Sequence, residues 1–234
     1  MKEQFYEKLA AKQDWDAVAN RFETDRRLTL IFDRLLAKTD LQGVRALDAG
    51  SGGGHFSAAA VKRGARVTSL DVGPNLLNQV SQRCKSDRVV GSVLEIPFPD
   101  DTFDLVFSTE VIEHTPDPLK AVRELCRVVA PGGTLIITTP CKLWQPVVRL
   151  ATTLKFRPYN GYENFLWPNQ LRREVSGRGC SILWLKGFNF MPLFWRPLSS
   201  FFDLFDALIG GLTPFLMVNI GVMARKPVTP AKSA

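Results

Sequence analysis

Two hydrophobic periods take turns along this chain. Short apolar runs at 45–47, 66–70, 88–90, 103–108 and 134–139 have the length and β-branched content of buried strands. Between them, 56–62, 74–84 and 118–129 bring apolar residues back every three or four positions, the period of a helix that covers one face. Strands alternating with helices predict an α/β, Rossmann-like doubly wound fold with a mostly parallel sheet, because a parallel pair needs a crossover long enough to hold a helix. Further on, 168–178 predicts a helix, 181–186 a sixth strand and 217–225 a seventh. Before the first run, Phe5, Leu9, Trp15, Phe22, Leu28, Ile31, Phe32 and Leu35 place helices in residues 1–44, either as a lid over a pocket or as plain packing.

The 234 residues fit one domain, divided into the helical segment 1–44, a core at 45–140, insertions at 141–167 and 188–214, and a last strand within 215–226. That length buries a core without bridges, and Cys84, Cys126, Cys141 and Cys180 contain no C-x-x-C pair. The segment MKEQFYEKLA is too charged for a secretory signal, so cytoplasmic residence is the expectation. Residues 207–224 carry no charge for eighteen positions, but Gly210, Gly211, Thr213, Pro214, Asn219 and Gly221 interrupt them and their second half is needed as a strand. A buried turn and strand are expected there rather than a membrane span.

Candidate chemistry begins at LDAGSGGGHF, residues 47–56, where an apolar run ends in Gly50, Gly52, Gly53 and Gly54. A strand turns sharply into a helix beside a ligand only where Cβ atoms are absent. Asp71 closes the next apolar run, where a carboxylate can accept from both hydroxyls of a ribose. The dinucleotide fingerprint G-x-G-x-x-G needs glycine where this chain has His55; Gly50, Gly52 and Gly54 give G-x-G-x-G instead. Asp48 would repel a diphosphate but could orient the loop and attract a sulfonium or ammonium group.

On those residues the chain resembles the class I S-adenosylmethionine-dependent methyltransferases. LDAGSGGG resembles their first motif, VTSLD (residues 67–71) the ribose-binding strand end, GSVLEIPFPDDTFDLVFSTEVIEH (91–114) the adenine loop and fourth strand, and RVVAPGGTLIITTP (127–140) the turn and fifth strand. The resemblance covers roughly residues 40–140. It implies a seven-stranded sheet with the last strand antiparallel and S-adenosyl-L-methionine as cofactor, leaving as S-adenosyl-L-homocysteine. It also implies a donor site drawn from Asp48, Gly50, Ser51, Gly52, Gly54, Asp71, Val72, Ser92, Val93, Leu94 and Thr109. Where relatives often place Asp before a small residue to hold the adenine amino group, this chain has Ser92 and Val93.

Charge is unevenly spread. Residues 141–234 hold twelve Lys and Arg against four Asp and Glu, more than the whole net charge of +7, and fifteen of the 24 aromatic residues. Three readings stay open for this aromatic, basic region: a subdomain packed over the sheet, a wide hydrophobic acceptor cavity, or a surface at a bilayer where Arg149, Arg157 and Arg196 meet anionic lipid. Nucleic acid is disfavoured, because the Asn/Asp-Pro-Pro-aromatic tetrad of base-amine methylation is replaced by Ser108, Thr109, Glu110 and Val111.

Methyl transfer from a sulfonium is an in-line displacement, and an oxygen acceptor must in addition lose its proton. His114, beyond the fourth strand, is of the residue type whose unperturbed pKa, about 6.5, suits a general base, with Glu110 as its catalytic companion. His114 could instead cap the turn at 115–118 or bond the cofactor carboxylate, and His55 is expected to pack or to shape the cofactor loop. Glu110-x-x-Glu113-His114 also resembles a segment of ubiquinone-type O-methyltransferases, in which two glutamates and the histidine hold a divalent ion. No metal is expected here; without one, Glu110 would bond near the methionine end of the cofactor and Glu113 would face solvent or a lid. Asp100 and Asp101 are expected in a solvated turn, and Pro131-Gly132-Gly133 in a reversal before the fifth strand. The favoured activity is O-methylation of a hydrophobic phenolic, quinol or lipid-like molecule, with C- or N-methylation next. An NAD(P)-dependent oxidoreductase and a noncatalytic adenosyl-binding module are the alternatives.

Overall fold

The computed structural model describes residues 21–154, 161–189 and 210–228. A first helix, α1 (Arg21–Leu28), widens into a π-helical turn over Thr29–Leu35. Then β1 (Arg45–Ala49), α2 (His55–Lys62), β2 (Arg66–Asp71), α3 (Pro74–Arg83) and β3 (Asp87–Val90) form the first half of the fold. The second half consists of β4 (Phe103–Thr109), α4 (Pro118–Val128), β5 (Val129–Pro140), α5 (Gln145–Thr153), α6 (Pro168–Gly177), β6 (Ser181–Phe188) and β7 (Asn219–Arg225).

One seven-stranded sheet runs in the order β3-β2-β1-β4-β5-β7-β6. β1 to β5 pair in parallel, and β7 lies antiparallel to both β5 and β6. The expected doubly wound sheet with its last strand reversed is therefore present. β5 starts earlier than expected: Phe103 of β4 faces Val129 and Leu105 faces Thr134, so Pro131-Gly132-Gly133 bulges out of a strand already begun. β7 starts later, because Pro214–Leu216 coils into a 3-10 turn.

Helices bury both faces of the sheet. On one, Ile31, Phe32, Phe56 and Ala60 pack on Ala46, Val67, Leu105, Phe107 and Ile136, with the Phe32 and Phe107 rings edge to face at 6.0 Å. On the other, Ala121, Val122, Leu125, Leu171 and Val175 of α4 and α6 pack on Leu47, Val106, Leu135 and Val222. Each fully buried Leu, Ile or Phe contributes about 2–3 kcal/mol of transfer free energy, and the four cysteines remain unpaired thiols. Ile31, Phe32 and Leu36 are buried, which makes the end of the N-terminal segment part of the core. Phe5, Leu9 and Trp15 lie outside the described residues.

Candidate active site

The carboxyl ends of β1, β2, β4 and β5 meet at one edge, as the order of parallel strands requires. At the end of β1 the chain turns back on β2: the amides of Gly50 and Ser51 both donate to the carbonyl of Leu70, at 2.8 and 3.0 Å. Gly50 has φ +85°, and a Cβ there would run into the γ carbons of Val111. The loop needs its missing side chain for backbone twist and for close approach alike. Gly54 serves a different contact, since its Cβ would meet Val80 of α3. It sets how closely α2 and α3 pack.

Asp71 ends β2 with its carboxylate accepting from the amides of Gly52, at 2.9 Å, and Gly73, at 3.0 Å. Those bonds fix the carboxylate beside the glycine loop, where a ribose would lie. Ser51 Oγ is buried and has no hydrogen-bond partner, a polar atom that the fold leaves for a ligand. Loop curvature, the placed acid and the orphaned hydroxyl fit an adenosyl group. Asp48 lies beneath the loop and accepts from Ser57 Oγ of α2 at 2.6 Å, and Ser57 continues to Ser69 at 2.7 Å. Burial pushes the Asp48 carboxyl up to about 7 against that hydrogen bond, and Asp71 adds to the rise. The acid anchors the start of α2 and its negative charge is weakened near neutrality. His55 faces Arg83, whose Nη1 stands 3.3 Å from its Nδ1 and whose Nε donates to the carbonyl of Gly53.

Val72 is half exposed just beyond Asp71, while Val93 is buried against the core beneath the 92–98 loop. Ser92 Oγ accepts from the amide of Leu94 at 3.2 Å, so this serine shapes its own loop. Sequence reading missed how the loop is held. Glu124 of α4 accepts from the amide of Ile96, and Arg127 donates to the carbonyls of Ile96 and Phe98, to Glu124 and to Asp100. Helix spacing of Glu124 and Arg127 was visible, but their long-range targets were not.

Thr109 ends β4, and Glu110 follows in a left-handed conformation with φ +56°. That turn sends the Glu110 carboxylate toward Asn219 Nδ2, which donates at 2.7 Å, and toward Arg27 of α1 at 3.7 Å. Burial pushes the Glu110 carboxyl up to about 8, opposed by Arg27 and reinforced by Glu113 and Glu23. Arg27 Nε is buried with no hydrogen-bond partner, and the Thr138 hydroxyl is buried beside the Glu110 carboxyl and partly offsets its rise.

His114 closes the short turn Ile112–His114, and its Nδ1 stands 3.0 Å from the carbonyl oxygen of Tyr162. A carbonyl only accepts, so Nδ1 carries the proton and Nε2 the lone pair. Nε2 stands 3.8 Å from Glu113 Oε1, and Thr139 Oγ1 donates to Glu113 Oε2 at 3.0 Å. Glu113 is 1% exposed, which rules out solvent, the first of its two expected places. Its carboxylate is held beside the ring, where it would stabilise an imidazolium.

Each of the three residues of the metal-like segment has its own partner. Glu110 turns to Asn219 and Arg27, Glu113 to Thr139 and His114 to Tyr162, and no cluster of three or more metal-binding side chains forms among the described residues.

The sequence of residues 47–137 matches the family model described as a methyltransferase domain. The chain is 31% identical over 198 residues to a ubiquinone biosynthesis O-methyltransferase of Xanthomonas campestris, covering 80% of this chain and 82% of that protein. A shorter stretch of 98 residues is 39% identical to a malonyl-[acyl-carrier protein] O-methyltransferase of Serratia marcescens, covering 42% of this chain and 38% of that one. Among solved structures, an S-adenosylmethionine-dependent methyltransferase of Mesorhizobium loti superposes with a TM-score of 0.66 at 16% identity, covering 86% of this chain and 99% of its own.

Proposed function

The chain belongs to the class I S-adenosylmethionine-dependent methyltransferases, and from that premise we propose that it methylates an oxygen of a hydrophobic small molecule with His114 as general base. The observation that carries this reading is the His114 bond to Tyr162, which puts the lone pair on Nε2 beside the carboxylate of Glu113. Gly50, Ser51, Gly52 and Asp71 would hold the donor, with Val72, Ser92, Val93, Leu94 and Thr109 around its nucleoside. When bound, the donor supplies an electrophilic methyl on a sulfonium. The chain's own tasks are to exclude water, align the acceptor and take its proton. His114 Nε2 would take the acceptor's proton as the oxygen–carbon bond forms and the methyl–sulfur bond of the donor breaks, releasing the thioether, and Glu113 would stabilise the resulting imidazolium. Glu110 and Arg27 supply the polar lining opposite.

Oxygen is favoured because both relatives named above are O-methyltransferases and because a neutral hydroxyl needs its proton taken, the task this histidine and carboxylate pair suits. A hydrophobic acceptor is favoured by the aromatic insertions at 141–167 and 188–214. The second of these lies largely outside the described residues. Peripheral membrane contact has one supporting observation: Leu143, Val147, Leu150 and Leu154 stand exposed along α5 and its flanks, with basic Lys142 and Arg149 among them. No helix among the described residues is long and apolar enough to cross a membrane.

The test is transfer of isotope-labelled methyl from S-adenosylmethionine to a panel of phenols, catechols, quinols, fatty acids and amines. Labelled ether or ester from an apolar acceptor, lost in His114→Gln, supports the proposal. Label only in amine or ring-carbon products overturns the choice of oxygen. Donor binding without transfer to any acceptor would point to a noncatalytic module.

A further inference from the structure

The residues from Tyr162 to Leu166 form a strap that leaves the 141–167 insertion and crosses the turn carrying His114. The amide of Asn164 donates to the carbonyl of Glu113 at 2.8 Å, and Asn164 Nδ2 donates to the carbonyl of Thr115 at 2.8 Å. The strap is also fixed from behind: Gln145 Nε2 of α5 donates to the carbonyl of Glu163, and the amide of Lys142 donates to that of Leu166 at 3.0 Å. Asn164 thus grips the residues before and after His114, and its grip sets where the Tyr162 carbonyl stands relative to the ring.

We propose that Asn164 is a positioning residue for the methyl transfer, holding the Tyr162 carbonyl on His114 Nδ1 so that the imidazole keeps its proton there and its basic nitrogen at Nε2. The inference rests on the reading of His114 as base. Neutral histidine in water prefers to carry its proton on Nε2, so the rarer tautomer must be imposed by an acceptor at Nδ1. Tyr162 supplies that acceptor as a backbone carbonyl, so changing its side chain leaves it in place. Asn164 holds it from the side of the His114 turn, as Gln145 holds the strap from behind. The strap lies within the 141–167 insertion, so if that insertion lines the acceptor side, as proposed above, it couples the shape of that side to the protonation of the base.

Asn164→Ala removes the bond to Thr115 and keeps the main-chain bond to Glu113. One hydrogen bond of this kind corresponds to about a fivefold change, so kcat is expected to fall about fivefold to tenfold. The affinity for S-adenosylhomocysteine stays within about twofold, because the Asn164 hydrogen bonds go to the 113–115 turn, which lies apart in sequence from the glycine loop that would hold the donor. Nitrogen-15 NMR of the imidazoles reads the tautomer directly, and His55→Gln in the same background leaves one histidine to assign, since the chain has only two. Nδ1 of His114 is expected to be the protonated nitrogen in the parent and to lose that character in Asn164→Ala, with Asn164→Gln restoring part of both signal and kcat. An unchanged nitrogen pattern in Asn164→Ala overturns the proposal. So does a parallel loss of melting temperature, cofactor affinity and kcat without any change at the ring, which marks a structural role alone. A shifted nitrogen pattern with full activity in His114→Gln would instead sink the base assignment while leaving the tautomer control standing.

Discussion

Replacing Gly50 by alanine separates two demands that the loop places on one residue. The left-handed conformation at φ +85° costs an alanine about 1–2 kcal/mol, of which roughly 0.5 kcal/mol returns because the unfolded chain becomes less flexible. The new methyl must then displace Val111, and overpacking of that kind costs about 1–3 kcal/mol. The sum is about 2–4 kcal/mol. Gly179 supplies the control: its φ is +78°, and an added Cβ meets nothing within 4 Å, so Gly179→Ala costs only the backbone part, about 1 kcal/mol. For a chain of this size, thermal unfolding should fall by roughly 3 °C in Gly179→Ala and by roughly 6–12 °C in Gly50→Ala. Calorimetric titration with S-adenosylhomocysteine should show near-normal affinity in the first and at least a tenfold loss in the second. Equal melting temperatures with full affinity in Gly50→Ala would refute the idea that Val111 and the glycine loop are shaped against each other.

His114→Gln should lower kcat by about 10²–10⁴, the usual worth of a general base, with S-adenosylhomocysteine binding unchanged by calorimetry. Arg127→Met should melt lower by about 1–2 kcal/mol and bind S-adenosylhomocysteine more weakly in the same titration, because the carbonyls of Ile96 and Phe98 lose their donor. Asp48 has an ordinary aspartate pKa near 4 when unfolded and about 7 in the fold, so between those values the native state holds the extra proton. Stability therefore falls as pH rises from about 4 to about 7 and then levels off for this group, while Glu110 adds a fall of the same sign up to about 8. Melting curves from pH 5 to pH 8 should show Asp48→Asn losing less stability than the parent; an identical slope would show that Asp48 does not titrate in that range.

What was legible in the sequence was the part governed by local period and by backbone demands. The strands and helices of 45–140 follow from runs and spacings, and Gly50 with Asp71 marks the donor edge because twist and close approach admit few residue types. β5 begins before its apolar run, since Val129 pairs with Phe103 of β4 ahead of the bulge that the Pro-Gly-Gly segment signals. The acceptor side was legible only as a list of chemically capable residues. The burial of Glu113 is not legible in the sequence, because nothing nearby announces Thr139 as its partner. Arg27, Asn219 and Asn164 carry no motif, and they matter through contacts spanning from 49 to 109 positions. Such contacts are set by the fold, and a chemical type at a single position does not reveal them.

The central claim is that one edge of the sheet presents a methyl donor to His114. A crystal structure of the complex with S-adenosylhomocysteine tests it most directly. The ribose hydroxyls should lie within hydrogen-bond distance of the Asp71 carboxylate, and the sulfur should open toward His114 Nε2. A ribose bound away from Asp71, or a sulfur turned from the histidine with no path between them, would contradict the account.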